Sequence, residues 1–185
     1  MKKMSLLVVA LMVAVSGFAQ SVKFDASKSE LKWTGKKVSG EHWGYVSLKS
    51  GELDVKNNKV VSGKFVIDMT TINVKDLEPG EWNDKLLGHL KSDDFFSVDK
   101  YKTAELVVQG GAFVNNEATL NGQLTIKGVT HPIAFKAVKT ATGYTATIGV
   151  DRTKYGIKYG SGKFFDSLGD KMIYDEFTLD VKLTL

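Results

Sequence analysis

Asn121 to Ala137 reads N-G-Q-L-T-I-K-G-V-T-H-P-I-A-F-K-A, and its pattern decides the fold. Leu120, Gly122, Leu124 and Ile126 alternate with Asn121, Gln123, Thr125 and Lys127, the period of two that marks a strand with one apolar and one solvated face. Gly128 permits a tight turn, and Ile133 and Phe135 resume the alternation. Two neighbouring strands and their connection are legible in this one run.

The same period recurs on both sides of it. Leu31 and Trp33 alternate with lysines, and Leu53 and Val55 run into a turn at Asn57-Asn58. Gly63, Phe65, Ile67 and Met69 share a face opposite Lys64, Val66, Asp68 and Thr70. Leu106 to Val108 and Phe113 lead to a turn at Asn115-Asn116, since asparagine tolerates the left-handed backbone of tight hairpins. Tyr144, Ala146, Ile148 and Val150 form a further apolar face after Thr142-Gly143. Phe177, Leu179, Val181, Leu183 and Leu185 form the last, against Thr178, Asp180, Lys182 and Thr184. About eight such strands make an antiparallel all-β domain. A two-sheet sandwich and a closed barrel would each bury one face of every strand, and periodicity leaves that choice open.

Between Glu78 and Lys91 the pattern changes. Trp82, Leu86 and Leu90 recur at four-residue spacing, with Pro79 and Glu81 near the start and Lys91 at the end, which predicts one short amphipathic helix. Gly88 inside it carries the helical glycine penalty of about 1 kcal/mol.

Lys2 and Lys3 precede an apolar run, Leu6 to Val15, and Ser16-Gly17-Phe18-Ala19 then leads into Gln20. This is the form of a secretory signal peptide over residues 1–19, with cleavage expected after Ala19. The apolar run is shorter than the roughly 20 residues of a membrane-spanning helix. The chain has no cysteine, so neither a disulfide framework nor a lipid-modified thiol is available after export. A periplasmic address is expected, with an extracellular one as the alternative. Residues 20–185 have the size of one domain. Losing residues 1–19 removes two lysines and no acid, lowering the formal net charge from +4 to +2. That balance, with scattered lysines, gives no case for nucleic acid.

Catalytic motifs are sparse. His42, His89 and His131 are far apart, no H-E-x-x-H occurs, and zinc would need ligands from remote strands, so no metal or cofactor is expected. Gly160-Ser161-Gly162 resembles a nucleophile elbow only superficially, and with Gly156 and Gly169 it reads as a glycine-rich loop. His131 alternates onto the face of Ile133 and Phe135, where it reads as a hydrogen-bonded wall histidine. Arg152, the only arginine, could bind an anionic head group or clamp loop carbonyls at a strand end, and the second role is favoured.

The motif G-x-L-T-I-x-G-V-T-x-P over 122–132 resembles the signature of the YceI-like family of bacterial secreted proteins. His89-Leu90-Lys91-Ser92-Asp93-Asp94-Phe95-Phe96 through Tyr101 and Asp151-Arg152-Thr153-Lys154-Tyr155-Gly156-Ile157 extend the resemblance, which runs from about Phe24 to Leu185. Lys102 stands where the family often has proline, and His131 where a basic residue is common. The resemblance implies an extended antiparallel lipocalin-like β-barrel of about eight strands with an elongated pore. It also implies a long-chain amphiphile as ligand: a polyisoprenoid, a quinone-type tail or a fatty-acid derivative.

Face alternation and aromatic content nominate Trp43, Tyr45, Phe65, Ile67, Leu124, Ile126, Phe135 and Ile148 for the pore wall, with Gly63, Gly122 and Ala146 leaving room inside. Phe164 and Phe165, in the long connection from Gly156 to Lys171, pair with Trp82 and Leu86 either as an apolar gate or as packed anchors. His89 and Arg152 are the head-group candidates. The reading is a non-enzymatic carrier of a long apolar lipid, with transient membrane contact and a homodimer left open. The alternatives are a stress-response interaction module with a filled barrel, and an enzyme using His42, His89 or Arg152 at a barrel mouth.

Overall fold

In the computed structural model, which describes residues 19–185, the run 117–139 forms two adjacent strands whose inward residues Leu120, Leu124 and Ile126 are buried. The expected leader, apart from Ala19, lies outside the described residues. Nine strands form in chain order: β1 (Gln20–Lys23), β2 (Glu30–Lys37), β3 (Gly40–Lys56), β4 (Lys59–Asp68), β5 (Thr103–Ala112), β6 (Glu117–Ile126), β7 (Val129–Lys139), β8 (Gly143–Asp151) and β9 (Ile173–Thr184). One helix, α1 (Glu81–Lys91), joins them.

All pairings are antiparallel, and β2 to β9 close into an eight-stranded ring. The choice that periodicity left open is thus a barrel. β3 pairs with β4 along one edge, while its other edge takes β2 over Gly40–Val46 and then β1 over Glu52–Val55. At about 3.3 Å per residue, the 17 residues of β3 span about 55 Å, which makes the barrel long for its girth.

Three hairpins turn on residue pairs at positive φ: Asn57-Asn58 (50° and 59°), Asn115-Asn116 (51° and 66°) and Lys127-Gly128 (52° and 73°). Two consecutive left-handed residues give the turn whose twist matches the strands it joins.

The helix begins at Glu81 because Pro79 and Gly80, the latter at φ 144°, lie just ahead of it. Its packed face is Asn83, Leu86, Leu87 and Leu90, the i, i+3, i+4, i+7 stripe. Trp82 lies off that stripe, 70% exposed, with Lys85 Nζ 5.3 Å from its ring centre. Before the helix, the segment 72–76 lies along β3, where Asn73 and Lys75 donate to the carbonyls of Tyr45 and Trp43. Gly44 permits this approach: a Cβ there would sit 1.9 Å from the Asn73 carbonyl oxygen.

Candidate functional site: an apolar barrel interior

Two cavities follow one another along the barrel axis. The narrower, about 70 Å³, is bounded by side chains including Phe24, Leu48, Phe65, Leu106, Phe135, Tyr144, Ile148 and Val181. The wider, about 110 Å³, is bounded by Trp33, Val46, Leu90, Phe95, Phe96, Leu124, Ile126, Val150 and Phe177 among others. Ile67 of β4 and Leu179 of β9 belong to both walls and mark where the chambers meet. Alternation explains the composition: the inward-facing positions of the strands are apolar, so the lining is almost entirely hydrocarbon and aromatic ring.

Six of the eight expected wall residues line these chambers: Phe65, Ile67, Leu124, Ile126, Phe135 and Ile148. Trp43 and Tyr45 do not. Next to them in β3 the buried positions are Gly44, Val46 and Leu48, which sets the aromatic pair on the opposite, outer face. There Trp43 carries Lys32 Nζ at 4.4 Å and meets Tyr45 edge-on. Nor do Gly63 and Gly122 leave room, because Leu53 Cδ1 would lie 2.7 Å from a Cβ on Gly63, and the Val107 carbonyl oxygen 2.6 Å from one on Gly122. Gly35, beside the irregularity between β2 and β9, is the glycine on the cavity wall with nothing within 4 Å of a Cβ.

Neither gate residue pair reaches the chambers. Phe164 and Phe165 are 46% and 51% exposed, and Trp82 faces solvent. Leu86, on the packed face of α1, is half-buried against the core. The helix region and the long connection do meet, but through other residues: the His89 ring stands edge-on to Phe95 and Tyr159, at 4.9 and 4.3 Å between centres. His89 is therefore part of an aromatic junction on the outside of the chamber, with Asp94 Oδ2 3.9 Å from its Nε2.

Arg152 is buried at the edge of the wider chamber, and its guanidinium is taken up by the backbone. Nε donates to the Tyr174 carbonyl (3.1 Å), Nη1 to those of Ile157 (3.0 Å) and Tyr159 (2.8 Å), and Nη2 to that of Ile173 (3.0 Å). Four of its five N–H groups are so engaged, and Asp175 lies 3.7 Å away. Burial lowers its pKa, against the opposing pull of the Asp175 and Asp151 carboxylates. As a head-group ligand it is corrected to a clamp that ties the long connection and the start of β9 to the end of β8.

His131 stands as a wall histidine, its Nε2 2.9 Å from the Lys154 carbonyl oxygen and its ring edge-on to Tyr155. His42 lies elsewhere, its Nδ1 2.6 Å from Asp76 Oδ2. Burial raises the Asp76 carboxyl, but the Trp43 N–H and the His42 contact outweigh it and leave its pKa lowered. Among the described residues no group of three or more His, Cys, Asp and Glu side chains is placed to hold a metal ion.

Sequence reasoning missed Trp33, Leu90, Phe95, Phe96 and Leu179 as wall residues. Trp33 and Leu179 lay on recognised apolar faces and could have been nominated. Phe95 and Phe96 follow the helix in irregular chain, where no period signals direction.

A closed antiparallel barrel whose interior is a pair of adjoining apolar chambers defines a class of hydrophobic-cavity protein. Within it, the chain belongs to the YceI-like domain family, whose model matches residues 22–185. It is 28% identical over 152 residues to the UPF0312 proteins of Staphylococcus aureus strains USA300 and NCTC 8325, covering 74% of this chain and 81% of each relative. The solved structure of Burkholderia cenocepacia BcnA superposes with a TM-score of 0.67 at 18% identity, over 88% of this chain and 99% of the other. A polyisoprenoid binding domain from Saccharophagus degradans gives 0.58 at 15% identity, over 90% and 97%. The Campylobacter jejuni YCEI protein gives 0.52 at 15% identity, over 100% and 91%. These structures share the fold.

Proposed function

We propose that this protein binds and carries a long apolar lipid, polyisoprenoid in character, with its hydrocarbon chain threaded through both chambers. The observation that carries the reading is the pair of adjoining cavities, walled by apolar side chains, that share Ile67 and Leu179. The polyisoprenoid binding named for the Saccharophagus degradans neighbour supports the ligand class. Burial of hydrocarbon is worth about 0.8 kcal/mol per CH2. A chain of about ten carbons therefore gains about 8 kcal/mol before the entropy of association is charged against it. Retention needs no catalytic group. With four N–H groups of Arg152 held by carbonyls, the polar head group stays outside the chambers, at the barrel surface. The leader-like residues 1–19 and the cysteine-free domain support a periplasmic site of action, where such a carrier would load and unload at a membrane.

Native mass spectrometry of protein purified from its own envelope without detergent tests the reading. A stoichiometric long-chain lipid is the expected result. A protein that stays apo after incubation with polyprenols and quinones would sink it and favour a filled barrel acting as an interaction module.

A further inference from the structure

The barrel wall is incomplete on one side. The β7–β8 ladder joins only Lys136–Lys139 to Tyr144–Thr147, whereas β6–β7 pairs along the whole of Val129–Val138 and β8–β9 along the whole of Gly143–Asp151. Val129–Phe135 and Ile148–Asp151 consequently have no partner across this seam. Pro132 supplies a cause. Ile126 and Val129 flank a two-residue turn as a hydrogen-bonded pair, so alternation along β7 directs the N–H groups of even-numbered residues away from β6, toward β8. Pro132 occupies such a position and has no N–H to offer.

The seam reaches the interior. Phe135, at the edge of the seam, and Thr145, Ala146 and Val181, in the paired wall beside it, bound the narrower chamber and also an open groove on the outer face, which spreads over Ala134, Thr147 and Gly149. Phe135 and Ala146 are only half-buried, whereas their inward neighbours Leu120, Leu124 and Ile148 are buried. Both boundaries of the seam are held, by the paired segment at Lys136–Thr147 and by the His131 contacts to Tyr155 and Lys154 at the other limit. The chamber end away from the seam, where Tyr144 pairs with Lys139, is closed by Tyr144 with Phe24 edge-on to it and Phe113 tilted against it.

We propose that the β7–β8 seam is a lateral portal through which the hydrocarbon chain of the ligand enters and leaves the narrower chamber. Its facing rim residues Ala134 and Gly149 are small, and the charged groups about them, Glu176 over Gly149 and Lys136 and Asp180 in the groove, sit on flexible side chains that can swing aside. This rests on the lipid-binding reading above. An end-on gate there would demand displacing the buried rings of Phe24, Tyr144 and Phe113; a side opening demands only that two unpaired strand segments part.

The test uses the cysteine-free protein carrying Ala134→Cys and Gly149→Cys, the positions the ladder would pair next on its outer face, bridged by a short bis-maleimide. Lys136→Cys with Thr147→Cys, inside the paired segment, is the control. Transfer of a fluorescent polyprenyl alcohol from phosphatidylcholine vesicles is followed in time. The bridge across the seam is expected to slow transfer by about tenfold or more, with the unbridged variant and the bridged control at wild-type rate. Ala134→Trp, which fills the rim from outside, is expected to slow it likewise without any cross-link. Wild-type transfer rates that ignore both the bridge and the tryptophan overturn the portal alone. A wild-type protein that takes up no probe overturns the lipid reading, and the portal with it.

Discussion

Replacing Arg152 with lysine keeps a positive charge but loses the planar fork that reaches four carbonyl oxygens in three directions. Three hydrogen bonds to a charged donor disappear, and each is worth about 1.5–3 kcal/mol. Arg152→Lys is expected to lower the urea-unfolding free energy by about 3 kcal/mol or more, with protease cleavage rising first in 156–172. Polyprenol affinity of the remaining folded protein is expected to stay at wild type, because the guanidinium is a clamp; a selective loss of affinity at unchanged stability would restore it as a head-group ligand. Gly35 supplies the converse case. A leucine there meets open space in the wider chamber, so Gly35→Leu is expected to reduce the bound lipid seen by native mass spectrometry while leaving the melting temperature within a few degrees of wild type.

At the scale of elements, Gly44 and the segment it admits are sensitive to a single methyl. Gly44→Ala pushes a carbon to within 1.9 Å of the Asn73 carbonyl oxygen. The chain must shift, at an expected loss of about 1–3 kcal/mol in chemical denaturation. The same region answers to acid. Asp76, which accepts from the Trp43 N–H and contacts His42, has a folded pKa below the ordinary aspartate value. Its stabilising contribution is full above that unfolded value and is lost as pH falls through the lower folded one. Asp151, lowered by its Thr153 and Lys163 bonds against the raising effect of burial, behaves alike. Unfolding free energy is therefore expected to hold from neutrality to about pH 5 and to fall below about pH 4, and Asp76→Asn should shrink that fall. The strands and three asparagine- or glycine-based hairpins were legible because a two-residue period and left-handed turns are local properties. Which face of β3 points inward was misread, since Trp43 and Tyr45 are as apolar as a wall residue and Gly44 looks like nothing at all. Only the segment 72–76, laid against β3 from another part of the chain, explains why glycine holds the inner position. Closure of the ring and the break between β7 and β8 likewise depend on contacts remote in sequence.

Across the whole molecule, the two chambers act as one site only if their junction stays passable. Leu179→Trp adds bulk where both walls meet. It is expected to leave a folded barrel that retains short-chain alcohols and loses long polyprenols, read by competition with a fluorescent probe; equal loss of both would mean that the chambers are not a continuous track. The ring itself carries a consequence for the order of events in folding. Its closing pair joins Glu30 and Leu31 of β2 to Lys182 and Val181 of β9, about as distant as two positions in the domain can be. Hairpins such as β6–β7 can form early from their own turns, yet the interior has no lid on its flank until β9 arrives. Such topology folds slowly. During that interval the future cavity is an apolar trough open along its length, and a lipid met at that moment could be enclosed by the closing strands without ever passing a door.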